Sequence, residues 1–361
     1  MKKNVLIIAY DGMNKSGVPS VIMQICRSLK DSCDFTIAIF DHSKYQYFFN
    51  ELKTLGVSLR VVEVPQNKNK LSRKLFNLFK KQRFVYKQFL SIFKEKQFDI
   101  VHSFKEADSL PIFKAAKKAG IKQRILHTTV LHTYTHLRDL KTKHNLNKSA
   151  RLATIRVGGS KLSCELAFQQ LLYKVITNCY DDATFKPLPL ESDDLEIVHV
   201  GYYSRNKNQL FSLGVIDKIK SKYPSAKLHF IGNQNDTSYY ESVITKVKQL
   251  HLENNVIFHD GNANQKDVLK LCTASLVPSI LEGFCLVLVE SQACGIKCFA
   301  NEKLPNDADA GGTEFLPLDE LLWAQKIVEF YEQKNPRLKL DMQKFSREAF
   351  KSNIKKLYFE N

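Results

Sequence analysis

No stretch of this chain approaches the roughly 20 uncharged apolar residues that a membrane-spanning helix needs. The longest candidate, around Val287, is broken by Glu282 and Glu290. No secretion signal is apparent either. The N-terminus runs Met-Lys-Lys-Asn and then only a short apolar stretch, Val5 to Tyr10, without a longer apolar core or a small-residue cleavage site. A cytoplasmic protein is therefore expected. Acidic residues are in deficit: 37 Asp and Glu against 54 Lys and Arg leave a formal charge of +17. That imbalance points to anionic partners, whether nucleic acid, anionic lipid or phosphorylated small molecules. No recognisable nucleic-acid module accompanies it, so nucleic acid is not expected. The eight cysteines, Cys26, Cys33, Cys164, Cys179, Cys272, Cys285, Cys294 and Cys298, are scattered through mostly apolar runs. Cys294 and Cys298 stand C-x3-C apart, but no second pair completes a zinc site, so buried free thiols are expected. Tandem repeats and low-complexity tracts are absent too.

What is present is a globular balance, 44% hydrophobic and 25% charged over 361 residues. That length suits two domains of about 150 to 200 residues each. In the first half, strand-like runs at Val5 to Tyr10, Phe35 to Phe40, Ser58 to Val64, Ile100 to Ser103 and Arg124 to His127 alternate with helical stretches such as Val18 to Leu29. The rhythm restarts with strands at Glu196 to Val200, Lys227 to Ile231, Val256 to Phe258, Ala274 to Val277 and Lys297 to Ala300. Helices are expected at about 208–222 and 239–250. Continuous apolar runs read as strands buried on both faces, and the alternation as parallel sheets covered by helices. The expected fold class is α/β, with two doubly wound, Rossmann-like domains facing a central cleft. The N-terminal domain is placed at 1–186 and the C-terminal one at 187–340. A last helix, 341–361, would pack back toward the first domain. The linker lies between Asp181 and Asp194, with Pro187, Pro189 and an acidic run. Ligands of such sheets bind at the C-terminal ends of the strands.

Four loops at such ends carry candidate chemistry. After Val277 comes Pro278-Ser279-Ile280-Leu281-Glu282-Gly283-Phe284-Cys285-Leu286, with a helix expected to begin near Phe284 and to carry Glu290. The amides at a helix start lack intrahelical acceptors and suit phosphate or sugar oxygens. Glu290 is a carboxylate in an apolar stretch, where ligand hydroxyls would satisfy it; the bland alternative is a cap and an exposed glutamate. The second loop, Gly201-Tyr202-Tyr203-Ser204-Arg205-Asn206-Lys207-Asn208, offers Arg205 and Lys207 to a pyrophosphate, or is an ordinary solvated turn. The third, Asp11 to Val18, is neither a G-x-G-x-x-G fingerprint nor a P-loop, and Gly17 is its best point of close backbone approach. The fourth ends the strand Arg124 to His127; His127 is either a cleft residue or a satisfied structural histidine, and His102 and His132 are weaker candidates.

The run from Pro278 to Glu290, continued by Ser291-Gln292-Ala293-Cys294-Gly295, resembles the E-x7-E signature of glycosyltransferase family 4, which has the GT-B fold. The resemblance covers about residues 1–330. It implies that Glu282 contacts the donor sugar and Glu290 the ribose, with Gly283, Phe284, Cys285 and Leu286 also at the donor. The Gly201 loop resembles the family's strand-G-R-x-x-x-x-K-N loop: Lys207 falls on the lysine, Tyr202 stands where the arginine is expected, and Arg205 is a candidate substitute. Arg124-Ile125-Leu126-His127 resembles R-I-x-H-S-H, in which the first histidine, here His127, faces the transferred sugar. Val175 to Asp181 resembles V-I-x-N-G-I-D, with Cys179 replacing the glycine. The resemblance implies a retaining glycosyltransferase that moves a sugar from a nucleoside-diphosphate donor, UDP-linked, to a lipid-linked or oligosaccharide acceptor in surface-polysaccharide synthesis. Lys207, Arg205 and amides would stabilise the leaving diphosphate without a metal or other cofactor, and Asp307-Ala308-Asp309 is not expected to hold one. A nucleotide-sugar 2-epimerase on the same fold and a non-catalytic nucleotide-sugar-binding homologue are the alternatives. The basic segment Lys68 to Lys96 is either a core-facing helix with a solvated outer face or a helix lying on an anionic membrane surface. A lipid-linked acceptor favours the second, with the protein peripheral on the inner face of the membrane.

Overall fold

A computed structural model describes residues 2–9, 12–13, 17–40, 47–64, 80–129, 137–234, 236–261, 263–334 and 337–360, without the side chains of 137–139. The chain forms two compact units, Met1–Cys179 with Arg347–Asn361, and Tyr180–Ser346.

The first unit runs β1 (Lys3–Ile8), α1 (Gly17–Leu29), β2 (Cys33–Ile39), α2 (Phe49–Thr54), β3 (Ser58–Val61), α3 (Lys81–Glu95), β4 (Ile100–Ser103), α4 (Ser109–Lys118), β5 (Gln123–Thr128), α5 (Leu137–Leu152), β6 (Ile155–Gly158), α6 (Lys161–Phe168) and β7 (Lys174–Val175). Its strands form one parallel sheet in the order β3-β2-β1-β4-β5-β6-β7. The apolar run at β1 is continuous because both sheet faces are covered. Val5 and Ile7 join one core with α1 residues such as Ile22 and Ile25, while Leu6 and Ile8 join the opposite core with Phe89 and Phe113. Pro19 falls in the first turn of α1, where its missing N–H breaks no helix bond.

The second unit repeats the plan with β8 (Glu196–Val200), α7 (Gln209–Lys220), β9 (Lys227–Ile231), α8 (Thr237–Gln249), β10 (Val256–His259), α9 (Gln265–Leu269), β11 (Ala274–Val277), α10 (Leu286–Ala293), β12 (Lys297–Asn301), β13 (Thr313–Leu316) and α11 (Glu320–Glu332). Its sheet is parallel, in the order β10-β9-β8-β11-β12-β13. Counted from the start of each unit, the first six strands of both sheets stand in the doubly wound order 3-2-1-4-5-6. The final helix, α12 (Arg347–Phe359), belongs to the first unit: Phe350, Ile354, Leu357 and Tyr358 pack into the core that α1 shares.

The division between units falls at Cys179/Tyr180, ahead of the expected 186/187. Phe185 packs among Val198, Ile231 and Leu269, and Tyr180 lies against the same core. The return to the first unit comes at Arg347 and not at 341, because Phe345 is fully buried in the second unit beside Phe284. All eight cysteines are buried and unbridged.

Lys68 and the rest of 65–79 lie outside the described residues. In the described part of that basic segment, α3 turns Val85, Phe89 and Ile92 into the core, with Lys80, Arg83, Lys87 and Lys94 outside. Those apolar side chains are committed to the protein's own core, so the outer face of α3 is a charged one. Among the described residues no helix is long and apolar enough to cross a membrane.

Burial also fixes how the fold responds to acid. His127 and His199 are fully desolvated, which lowers both to about 3, and burial followed by the neighbouring His127 drives His102 down as well. These groups stay neutral in the native state while the unfolded chain protonates them near its ordinary value of 6.5. Between about pH 6.5 and 5 the unfolded state therefore binds more protons, and stability must fall as pH falls, approaching about 1.4 kcal/mol per pH unit for each such histidine. Urea titrations across that interval should show this slope. His199→Gln should reduce it by close to one histidine's share, and an unchanged slope would contradict the assignment.

Candidate functional site

The sheet order of the second unit decides which loops can meet. β8 and β11 are neighbours, with Ala274 opposite Ile197 and Ser275 opposite Val198. The chain leaves them toward opposite flanks of the sheet, so the loops after them border the switch point where ligands enter such folds. Those loops are 201–208 and 278–285, the two richest in candidate chemistry.

They are stitched together by main-chain and amide bonds. The Ile280 N–H donates to the Asn206 carbonyl (2.8 Å), and Asn206 Nδ2 donates to the Leu281 carbonyl (2.9 Å). Asn208 Nδ2 donates to the Pro278 carbonyl at 3.4 Å, and Asn301 Nδ2 holds the Ser279 carbonyl from β12 at 2.9 Å. Glycines allow the close approach. A Cβ on Gly232 would lie 2.0 Å from the Gly201 carbonyl oxygen, and one on Gly201 would press on the Lys207 stem at 3.2 Å.

On this platform Lys207 Nζ donates to Glu282 Oε1 at 2.7 Å, with both side chains largely buried, 13% and 16% exposed. Burial opposes the lysine's charge. The Glu282 carboxylate, with smaller help from Cys285 and Tyr202, outweighs it and holds the Lys207 pKa above the ordinary value. The ammonium also lies 5.9 Å from the centre of the Tyr202 ring, so the residue at the expected arginine position flanks the cation. Cys285 sits in the same field. Burial first, then Glu282, and more weakly Glu290, push its thiol up to about 12, while Lys207 pulls the other way. Lys207, Glu282, Cys285 and Glu290 thus form one electrostatic neighbourhood.

The helix expected to start near Phe284 starts at Leu286. Its N-cap, Cys285, is in the left-handed region (φ 57°), and no side chain caps the helix. A non-glycine residue there costs on the order of 1 kcal/mol. Asn208 adopts the same conformation (φ 61°) at the start of α7, again without a side-chain cap, although asparagine tolerates it better. The bare start of α10 therefore borders the ion pair, a combination suited to anionic oxygens, whereas in the first turn of α7 the Leu210 N–H donates to the Tyr239 hydroxyl at 3.4 Å. Gly283 and Phe284 are buried in the turn, Phe284 against Phe345, while Leu286 and Glu290 are half-buried on α10.

Arg205 stands apart from this pair. It is exposed, and its charge acts on Asp236 and Tyr239 at the start of α8. Asp309 is committed to the fold, its Oδ1 accepting from the Thr313 N–H at 3.0 Å. In the first unit, Gly17 opens α1, with nothing within 4 Å of where a Cβ would sit. His127 is fully buried at the end of β5. His132 and residues 14–16 lie outside the described residues. Sequence reasoning missed Asn206 and Asn208 as the clasps between the two loops; their position after a strand-ending glycine is the only signal they carry.

Two doubly wound units, the second with a cation and a bare helix start at its switch point, make up a GT-B fold. Comparisons agree. Residues 181–306 match the family described as glycosyl transferases group 1. The capsular polysaccharide biosynthesis glycosyltransferase CapH of Staphylococcus aureus is 23% identical over 297 residues, 78% of this chain and 77% of CapH. EpsF of Bacillus subtilis, a putative glycosyltransferase by name, is 23% identical over 333 residues, 86% of this chain and 82% of EpsF. The crystal structure of Anabaena HepE in complex with UDP and glucose superposes with a TM-score of 0.76 at 17% identity, over 99% of this chain and 100% of that one. The chain is a glycosyltransferase whose second unit carries a glycosyl transferases group 1 domain.

Removing one member of a buried ion pair strands the other charge. Glu282→Leu should destabilise the protein by about 2 to 4 kcal/mol. The double variant Lys207→Met/Glu282→Leu should recover at least half of that loss in urea denaturation. A double variant no more stable than the single one would mean that the pair is not coupled.

Proposed function

We propose that this enzyme is a family 4 glycosyltransferase that moves a sugar, with retention of anomeric configuration, from a UDP-sugar to a hydroxyl of a lipid-linked glycan during surface-polysaccharide synthesis. The observation that carries the reading is the Lys207–Glu282 pair beside the uncapped start of α10. A departing diphosphate develops negative charge, and a preorganised cation with convergent N–H groups stabilises it where water is scarce. On this reading the diphosphate takes Lys207 from Glu282, which frees that carboxylate for hydroxyls of the donor sugar. Glu290, one helix turn into α10, accepts from the ribose. The departing phosphate is the base that takes the acceptor's proton.

The choice of donor is supported by the Anabaena relative, whose structures include complexes with UDP and with UDP-glucose. The polysaccharide setting is supported by CapH, named for capsular polysaccharide biosynthesis. The exposed position of Arg205 leaves Lys207 as the principal side-chain cation for the diphosphate. The basic outer face of α3 supplies charge for an anionic membrane surface, where a lipid-linked acceptor would be met; each Lys or Arg near such a surface contributes on the order of 1 kcal/mol.

A thermal-shift panel of UDP, GDP and their sugars tests the donor, since ligand bound to the native state raises the melting midpoint by mass action. UDP and at least one UDP-sugar should raise it. Lys207→Met should lower donor affinity or turnover by about 10- to 1000-fold. Glu282→Ala should retain UDP binding and lose transfer. Sugar nucleotides that leave the midpoint unmoved would overturn the proposal, as would epimerised donor formed without any acceptor.

A further inference from the structure

On the outer side of the first unit, α3 and α4 leave between them a groove of about 830 Å³. Its cations come from both helices: Arg83 from α3, and Lys114, Lys117 and Lys118 from α4, all exposed. Its floor is apolar, made by the half-buried Tyr86 and Leu152 and the buried Pro111, with the exposed Gln82 at the side. No acidic residue lines it. α4 carries none at all, and the one on α3, Glu95, is held by Arg60. Asp108, just before α4, pairs with Lys81 at 3.7 Å. Among the described residues the four cations of the groove have no carboxylate partner.

This arrangement is unfavourable for the protein alone. Lys117 and Lys118 follow Lys114 by three and four residues, which brings their Cβ atoms to about 5 to 6 Å from its own. Like charges at that spacing repel, and Arg83 adds a fourth from α3; an anion in the groove relieves the repulsion. The rest of the lining narrows the chemistry of that anion. Among the described residues no exposed large apolar side chain lies on α3 or α4, so neither helix has anything to insert between acyl chains. A flat membrane would meet the crests of the two helices, not the hollow between them. Tyr86 offers an apolar ring face of the kind that packs against a pyranose, and its phenol and the Gln82 amide can exchange hydrogen bonds with hydroxyls. Cations above such a floor suit a chain of sugar rings that carries anionic groups. The direction of the groove follows from the topology. α4 comes after β4, so Pro111 in its first turn lies toward the C-terminal ends of the strands, where ligands of such sheets bind, and Lys118 lies toward the opposite end.

We infer that the α3–α4 groove binds an acidic glycan. Its use as the track for an acceptor chain rests on the glycosyltransfer reading above; the binding site itself does not. The class of acceptor it selects is an oligosaccharide with carboxylate or phosphate groups along its length, in preference to a neutral one. Complementarity of this kind acts on capture and on the choice of partner. It leaves the donor chemistry of the second unit untouched.

The test is calorimetric binding of a short oligogalacturonide to the full chain, in parallel with a maltodextrin of the same length and with phosphatidylcholine vesicles containing phosphatidylglycerol. The oligogalacturonide should bind, more weakly as salt rises, and the maltodextrin should not. Lys114→Glu/Lys118→Glu should weaken the binding by about 10-fold or more. Lys351→Glu/Lys355→Glu makes the same change of charge at exposed positions of α12, which packs on the opposite face of the sheet, and should alter it by no more than about 2-fold. All four positions are exposed, so the melting midpoints of both double variants should stay near that of the wild type. An oligogalacturonide that does not bind overturns the inference. Equal weakening by the two double variants also overturns it, because the chain would then bind polyanions by net charge alone. Vesicles that bind through Lys114 and Lys118 while the oligogalacturonide does not would make the groove a lipid surface, which again contradicts the inference. Should the oligogalacturonide behave as expected while UDP leaves the melting midpoint unmoved, the donor reading fails and the glycan site stands.

Discussion

A lysine and a glutamate 75 residues apart share a hydrogen-bonded contact of 2.7 Å because their strands are neighbours at the point where the sheet order reverses. Most of the functional account descends from that adjacency. The main-chain bonds between Asn206 and 280–281 place the loops, and Gly201 and Gly232 let them approach. The pair then keeps a cation in a largely desolvated position where a lone ammonium would be costly. Electrostatic neighbours are worth more in such a place than in water, and they cost little reorganisation when a second anion arrives. On the proposed reading Glu282 holds the place of that anion and gives way to a more highly charged ligand.

Two of the six described non-glycine residues with positive φ flank the same spot. Cys285 and Asn208, both left-handed, occupy the residues immediately before α10 and α7. Neither N-cap side chain bonds the first amides of its helix, although at α7 the Tyr239 hydroxyl accepts from the Leu210 N–H at 3.4 Å. A designed scaffold would place serine or aspartate there and satisfy those amides internally. On the proposed reading the first amides of α10 are left for a ligand's oxygens, and functional sites are where such local costs are retained. Elsewhere Ser160 and Ser163 form a capping box at α6, and Asp236 and Asp319 cap α8 and α11, while α2, α3, α4 and α9 also begin without a side-chain cap, so a bare start marks the site only together with the ion pair beside it.

Much of the architecture was legible because parallel strands buried on both faces produce continuous apolar runs, as at Val5 to Ile8 and Ala274 to Val277. Shorter edge elements were not. β7 is two exposed residues, Lys174–Val175, and β6 carries Arg156, whose guanidinium is absorbed by the carbonyls of Ala150, Ala153 and Leu172. Neither has an apolar signature. The domain boundary was displaced because Pro187, Pro189 and the acidic run look like a linker, whereas Tyr180 and Phe185 already pack in the second core. At the site, residue types were visible but their contact was not: nothing in the spacing of Lys207 and Glu282 says that they touch, and the resemblance to E-x7-E enzymes implied only that both serve one donor. A positive φ at a cysteine has no sequence signal. The basic stretch ending at Lys96 looked amphipathic for a sound reason, yet periodicity does not say which apolar surface a helix covers, and α3 covers its own sheet.

A structure of this chain with UDP bound would test the central claim most directly. The account predicts the β-phosphate within hydrogen-bond distance, about 2.7 to 3.2 Å, of Lys207 Nζ and of the first amides of α10, with the Lys207–Glu282 contact lengthened or broken. A diphosphate seated elsewhere, with that ion pair intact, would contradict it.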